Sequence, residues 1–213
     1  MFFIYFYRSM GNPGYSQEDP DSRIFILSGT VQGGKTTFLQ NLIEPLGKEG
    51  LKVTGFLCKG AFANGQRSAF ALTDLKNEME MPLASQEEKK GWFRYRRFYF
   101  NPAAFNTGVA WVEDGLKKNP DIVVVDEVGP MELEGMGWWS LLKSLETRHE
   151  LIQLWTVREL LLSEITEMWN VPRSRIFPID SAEPSQLIEC LKKESLRNKT
   201  LLRYGNDAGN KAT

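Results

Sequence analysis

Ile24-Phe25-Ile26-Leu27-Ser28-Gly29-Thr30-Val31-Gln32-Gly33-Gly34-Lys35-Thr36-Thr37 is the stretch whose reading decides the fold. An apolar run enters a glycine-rich turn, and Leu39, Leu42, Ile43 and Leu46 follow at helical spacing, so the order is strand, turn, helix. Gly29, four residues, then Gly34-Lys35-Thr36 give the full Walker A spacing in the context that motif requires. The glycines at 29, 33 and 34 let backbone amides curl around an anion, since a side chain would fill that space. The helix beginning near Lys35 adds free amides and its positive end. Lys35 is placed to reach the β- and γ-phosphates, and the Thr36 hydroxyl to hold a magnesium ion. Gly29, Thr30, Val31, Gln32, Gly33, Gly34, Lys35, Thr36 and Thr37 are therefore read as the phosphate-binding turn, with Thr37 also suited to helix packing or capping.

A second landmark lies far downstream. Ile122-Val123-Val124-Val125 is a continuous β-branched run, the pattern of a parallel strand covered on both faces, and it ends in Asp126-Glu127. Acids are poorly explained as core there. Asp126 fits magnesium coordination, and Glu127 fits orienting or deprotonating a water molecule. Leu151 to Val157 reads as another core strand, ending in Thr156 and Arg158. Thr156 suits contact with the γ-phosphate or the attacking water, and equally a structural role at the strand end. Arg158 suits solvation of a helix start better than a charge-stabilising finger.

Between the landmarks, Leu51 to Cys58 and Arg67 to Thr73 are extended segments joined through the hairpin signal Asn64-Gly65. A turn near Lys76-Asn77 leads to a short run from Met79 to Leu83, so a small antiparallel extension joins a parallel core. From Trp92 to Phe100, aromatics interleave with arginines. That pattern suits stacking on nucleic-acid bases, but a strand and loop beside the nucleotide is the better reading in a chain of net charge -1. Arg94, Arg96 and Arg97 are candidates for contact with the triphosphate, Arg97 being counted among the catalytic ones, while surface arginines covering aromatic rings are the plainer alternative.

Helices are expected from Asn101-Pro102, with Phe105, Val109, Val112 and Leu116 on the buried face, and around Trp138, Leu141, Leu142 and Leu145. A further helix runs from Leu160 to Trp169 with Leu161, Ile165 and Met168 on one side. A short strand at Arg175 to Ile179 precedes a last helix that opens near Pro184. The 213 residues suit one α/β domain over 23–195, with the hairpin extension around 51–84. Residues 1–22 read as an N-terminal strand or flexible tail, and 196–213 as a polar tail. The aromatic run Met1 to Tyr7 is too short to cross a bilayer as a helix and lacks signal-peptide features.

Composition narrows the classes further. Hydrophobic residues at 42% and charged residues at 25% describe a globular chain, and 26 basic against 27 acidic residues leave no electrostatic footprint for nucleic acid. Cys58 and Cys190 make neither a zinc cluster nor a disulfide framework and read as free thiols in a reducing cytoplasm. His149, the one histidine, excludes sites built from several imidazoles. A cytoplasmic monomer with no membrane or nucleic-acid partner is expected.

From about Ile24 to Leu191 the chain resembles the small THEP-type nucleoside-triphosphatases, a family that includes the human cancer-related nucleoside-triphosphatase. The resemblance rests on Gly29 to Thr37, on Gly55-Phe56 with the Asn64-Gly65 hairpin and Arg67, on Phe98 to Asn101, and above all on Val124-Val125-Asp126-Glu127-Val128-Gly129-Pro130-Met131-Glu132-Leu133. It implies a three-layer, RecA-like P-loop NTPase of the α/β class with a mostly parallel central sheet and a small antiparallel hairpin extension. It also implies magnesium-dependent hydrolysis of ATP, GTP and other nucleoside triphosphates to diphosphate and phosphate. A nucleotide-dependent binding protein with little turnover and a small-molecule kinase are the alternatives. Departures fall at Val31-Gln32, where the family usually has Pro-Gly, and at Phe62 for arginine, Arg96 for glycine, Pro130 for lysine and Trp155 for alanine.

Overall fold

Alternation along the first strand sets the layering. Ile24 and Ile26 enter one apolar core while Phe25 and Leu27 enter another, and Val123 and Val125 against Ile122 and Val124 divide in the same way. A strand apolar on both faces is stable only when helices cover both. The computed structural model describes residues 22–209, so the Met1 to Tyr7 stretch, expected as an edge strand or packed tail, lies outside the described residues.

In chain order the elements are β1 (Ile24–Gly29), α1 (Lys35–Lys48), β2 (Val53–Ala63), β3 (Gln66–Asp74), β4 (Glu80–Ser85), β5 (Phe93–Tyr95) and β6 (Phe98–Phe100). They continue with α2 (Pro102–Leu116), β7 (Ile122–Val128), α3 (Pro130–Leu133), α4 (Trp139–Glu146), β8 (Ile152–Arg158), α5 (Leu162–Met168), β9 (Ile176–Pro178) and α6 (Pro184–Gly209). One sheet holds all the strands in the order β5-β6-β4-β3-β2-β7-β8-β1-β9. From β2 to β9 every pairing is parallel, and from β2 to β5 every pairing is antiparallel. Helices α2, α4 and α5 cover one face, and α1 and α6 the other. This is the three-layer, RecA-like P-loop architecture, with a mixed sheet.

The antiparallel part is larger than the hairpin expected. Strand β2 runs on to Ala63, Asn64 and Gly65 turn with φ of 51° and 74°, and β3 returns along it through a register shift at Ala61/Phe62. β4, β6 and β5 then extend the same sheet. β5 and β6 are three residues each, too short for a clear alternation in the sequence.

Two helices turn their expected faces to the core, but with other residues deepest. In α2, capped by the Asn101 Oδ1, which accepts from the Ala103 amide at 3.1 Å, the buried residues are Ala104, Gly108, Val112 and Gly115, while Phe105, Val109 and Leu116 are only partly buried. Close approach explains this: a Cβ on Gly115 would lie 1.8 Å from Thr54 Oγ1, and one on Gly108 2.8 Å from the Trp138 ring. In α5, Ile165 is buried, but Met168 is 42% exposed and Trp169 takes its place at 6%. The polar tail expected from 196 is also corrected, because α6 continues to Gly209. Its polar residues are held to the domain: Ser195 donates to Asp121 at 2.8 Å, Asn198 donates to the Glu150 carbonyl at 3.1 Å, and Lys199 pairs with Asp121 at 2.6 Å.

Two glycine replacements separate packing from propensity. Gly115→Ala drives a methyl group into Thr54 and lowers unfolding free energy by about 2–4 kcal/mol. Gly47→Ala, in a helical position where an added Cβ meets nothing within 4 Å, raises it by roughly 0.5–1 kcal/mol. Urea titrations of both variants check the opposite signs.

Candidate active site

The carboxyl ends of β1, β8 and β7 lie side by side, with Gly29 opposite Arg158 and Val125 opposite Trp155. The glycine-rich turn leaves β1 there. Gln32 and Gly34 take left-handed backbones with φ of 61° and 91°, and Gly34 stands as the N-cap of α1 without a side chain to occupy the free amides. A Cβ on Gly33 would lie 2.6 Å from Thr30 Oγ1, so the turn closes only around glycine. Lys35 is buried, and its Nζ donates to the carbonyls of Gly29 at 3.1 Å and Thr30 at 2.7 Å. Burial lowers its pKa, an effect opposed by the negative charge of Glu127. Thr36 is half-buried, Thr37 is exposed on α1, and Val31 is exposed at the tip of the turn.

A β-bulge builds the acidic side. Between the pairs Val125–Trp155 and Val128–Val157, Asp126 and Glu127 together oppose Thr156 alone. Glu127 absorbs the extra residue with φ of 61°, a conformation that favours glycine. The Thr156 hydroxyl, fully buried, donates to Asp126 Oδ1 at 2.5 Å and accepts from the Glu127 amide at 2.8 Å. Asp126 is 0% exposed, and its Oδ2 accepts from the Cys58 amide at 2.8 Å. Burial, reinforced by Glu127, pushes its pKa up to about 6 against the pull of these hydrogen bonds.

Glu127 faces the mouth of the site between two arginines. Its Oε1 pairs with Arg67 Nη1 at 3.3 Å and its Oε2 with Arg158 Nη2 at 3.2 Å. Arg67 reaches it from β3 by lying flat on β2, where a Cβ at Gly60 would be 2.5 Å from Arg67 Nε, and its guanidinium stands 5.0 Å from the Phe70 ring. Arg158, expected to solvate a helix start, is drawn into the site instead. Beyond Glu127 the chain turns through α3, where Glu132 is buried and accepts from the Gly129 and Trp138 amides, each at 2.7 Å. Burial pushes Glu132 up to about 7 despite these two donors.

The structure thus brings together Lys35, Thr36, Asp126, Glu127 and Thr156. Thr156 sits behind the carboxylates with its hydroxyl engaged by both acids' segments. Arg97 lies across a cavity of about 380 Å³ that opens beside Glu127, with its guanidinium 5.0 Å from the Phe98 ring. Arg96 lines the same cavity at a left-handed turn position, φ 52°, and Arg94 lies over Tyr99. Arg67, the Cys58 amide and Glu132 are the parts of the site that sequence reasoning left without a role. The hairpin signal at Asn64-Gly65 pointed to a β2–β3 return, but which arginine reaches Glu127 depends on the register.

Oxygen donors are what a magnesium ion requires, and the Thr36 hydroxyl and Asp126 carboxylate supply them at the end of the phosphate-binding turn. Among the described residues no group of three or more His, Cys, Asp or Glu could hold a metal by itself. The donor set therefore fits a cation completed by phosphate and water oxygens rather than a protein cage.

Comparison with known proteins bears on the whole arrangement. Residues 24–189 match the NTPase_1 family model, described as NTPase. The chain is 30% identical over 129 residues to the nucleoside-triphosphatase THEP1 of Sulfolobus acidocaldarius, covering 61% of this chain and 73% of that protein. It is 32% identical over 108 residues to the THEP1 of Ignicoccus hospitalis, covering 51% and 60%; the chain thus spans less than two thirds of this second relative. Among solved structures, a human cancer-related nucleoside triphosphatase superposes with TM-score 0.57 at 22% identity, over 80% of this chain and 95% of that one. THEP1 from Aquifex aeolicus superposes with TM-score 0.57 at 18% identity, over 73% and 89%. At these identities the structural likeness speaks for the fold.

Thr156→Val preserves shape but removes the hydroxyl, taking a donor from Asp126 and an acceptor from the Glu127 amide. Unfolding free energy falls by about 1–3 kcal/mol, and Thr156→Ser recovers most of it. Denaturant titration of the two variants provides the comparison.

Proposed function

Because the chain belongs to the THEP1-type family of P-loop NTPases, we propose that it hydrolyses nucleoside triphosphates, ATP and GTP among them, to diphosphate and phosphate with magnesium. The observation that supports this most strongly is the parallel register of β1, β8 and β7, which sets the phosphate-binding turn at the end of β1 on the same edge of the sheet as Asp126 and Glu127 at the end of β7.

The residues divide the work by position. The amides of Gly29 to Thr36 and the N-terminus of α1 hold the phosphates. Lys35 exchanges its bonds to the Gly29 and Thr30 carbonyls for bonds to β- and γ-phosphate oxygens. Thr36 and Asp126 would hold magnesium, which draws charge from the phosphate oxygens when bound. Glu127 accepts a hydrogen bond from the attacking water and holds it in line with the γ-phosphorus. Arg67 and Arg158 fix the Glu127 carboxylate and bring positive charge to oxygens that gain charge as the bond breaks. Arg97, which lines the cavity beside Glu127, adds a further positive charge. Thr156 acts through Asp126 and Glu127 as a positioning residue. The free thiols of Cys58 and Cys190 accord with a reducing, cytoplasmic setting.

Phosphate release by the purified protein across the common nucleoside triphosphates tests this reading. Lys35→Ala and Glu127→Gln each lower kcat by about 10²–10⁴-fold; turnover untouched by both would refute the assignment. A pH series gives a second measure. An acid raised to about 6 is protonated below that pH and a carboxylate above it. Magnesium-dependent nucleotide affinity is therefore full above about pH 6 and falls below it, by up to about tenfold per unit, in calorimetric titrations.

A further inference from the structure

The cavity of about 380 Å³ beside Glu127 extends well past the residues that hydrolysis by water uses. Its inner wall is apolar and largely aromatic: Phe70 from β3, Leu83 from β4, Phe98 and Phe100 from β6, Phe105 from α2 and Trp138 before α4. The rings touch one another, with Phe105 and Trp138 centroids 4.7 Å apart, Phe70 and Phe98 5.3 Å apart, and Phe100 and Phe105 6.1 Å apart. Arg67, Arg97, Arg158 and Glu127 line the same cavity with the tip of the phosphate-binding turn, Val31 and Gln32, and Arg96 and the buried Glu132 carboxyl complete its polar lining. A volume in the range of small-molecule sites, walled mainly by aromatic rings with a few polar groups among them, is the form of a site for a flat molecule that carries polar substituents.

The position of the cavity gives the chemistry. The terminal phosphoryl group lies toward Lys35 and Glu127, and the nucleophile must approach it on the side away from the departing diphosphate. The nucleoside is attached through the other end of the phosphate chain, so the donor's own base points away from the cavity. Thr37 and the first turn of α1 beyond it do not line the cavity, whereas Val31 and Gln32 do. A molecule seated among the rings would present its polar end where the attacking oxygen belongs.

Resting on the nucleoside-triphosphate reading of the same site, we propose that this cavity binds a planar heteroaromatic alcohol of nucleoside size or smaller and that the protein transfers the γ-phosphoryl group to its hydroxyl. The acceptor oxygen forms a bond to the γ-phosphorus as the bond from that phosphorus to the β–γ bridging oxygen breaks. The nucleoside diphosphate leaves with the electron pair, and the hydroxyl proton passes to the Glu127 carboxylate. Exclusion of water by the bound ring turns the site from hydrolysis to transfer.

The test uses the full chain, γ-labelled ATP and magnesium, with and without a panel of ribonucleosides, deoxyribonucleosides, hydroxymethylpyridines and hydroxymethylpyrimidines. The expected result is label on at least one acceptor, with nucleotide consumption raised at least fivefold by that compound. Leu83→Phe, which fills the cavity from β4, removes at least nine-tenths of the transfer and leaves acceptor-free phosphate release within twofold. Phe105→Ala, which opens the cavity, raises the acceptor KM at least fivefold, and provides the same reading if the first variant does not fold. Phosphate release with no label on any acceptor overturns the proposal and leaves the hydrolase reading standing. A tenfold rise in the KM for ATP in Leu83→Phe would place the donor's base in the cavity and also overturn it. No nucleotide consumption in any arm overturns both readings.

Discussion

A buried carboxylate at the end of a buried strand is the constraint on which the site depends. Asp126 has no access to solvent, and a charge so placed is tolerable only when hydrogen bonds surround it. Two of those bonds come from distant parts of the chain, the Thr156 hydroxyl from β8 and the Cys58 amide from β2, and a third from the next residue, the Glu127 amide. The two parallel neighbours of β7 are thereby tied to one group of atoms. The bulge at Asp126-Glu127 makes this possible, since it lets one threonine serve both acids' segments. Its cost is the left-handed backbone at Glu127, roughly 1–2 kcal/mol for a side chain other than glycine.

The positive side of the site is assembled from further away. Arg67 and Arg158 arrive from strands on either side of β7 and meet on the Glu127 carboxylate. They supply charge where the family's usual basic residues at 62 and 130 have become Phe62 and Pro130. Phe62 instead lies under Arg67, with the guanidinium 5.3 Å from its ring, and Pro130 occupies the first position of α3. Two other departures carry a backbone cost. Gln32 and Arg96 both have positive φ at positions where the resembled family has glycine. Trp155 is accommodated fully, buried and edge-on to Trp169 at 5.3 Å.

What the sequence made legible was local. The strand, glycine turn and helix from Ile24 to Leu46, and the β-branched run into Asp126-Glu127, are contiguous patterns whose chemistry and secondary structure are read from the same residues. The α/β class followed from them, and the three-layer form from the family resemblance they carry. Arg67 was visible only as a hairpin residue, because its meeting with Glu127 depends on the β2–β3 register and its bulge. Glu132 has the sequence of an ordinary acid in a helical turn, and its burial follows from the amides of Gly129 and Trp138 folding over it. The expected stripe of α2 does pack on the core, but its closest approaches, Gly115 to Thr54 of β2 and Gly108 to Trp138 and Leu72, escaped notice because hydrophobicity marks large side chains. The C-terminal helix was cut short because its polar residues look solvated until Asp121 and the Glu150 carbonyl are seen beneath them.

Among the described residues the sheet ends in three-residue strands on both sides, β5 at one edge and β9 at the other. So short a ladder offers a visiting peptide few main-chain partners, and Pro178 withholds a donor from the second of them. Strand addition to this sheet is thereby discouraged at both ends. Whatever larger molecule this protein meets must recognise side chains on its helical or loop surfaces rather than extend its backbone ladder.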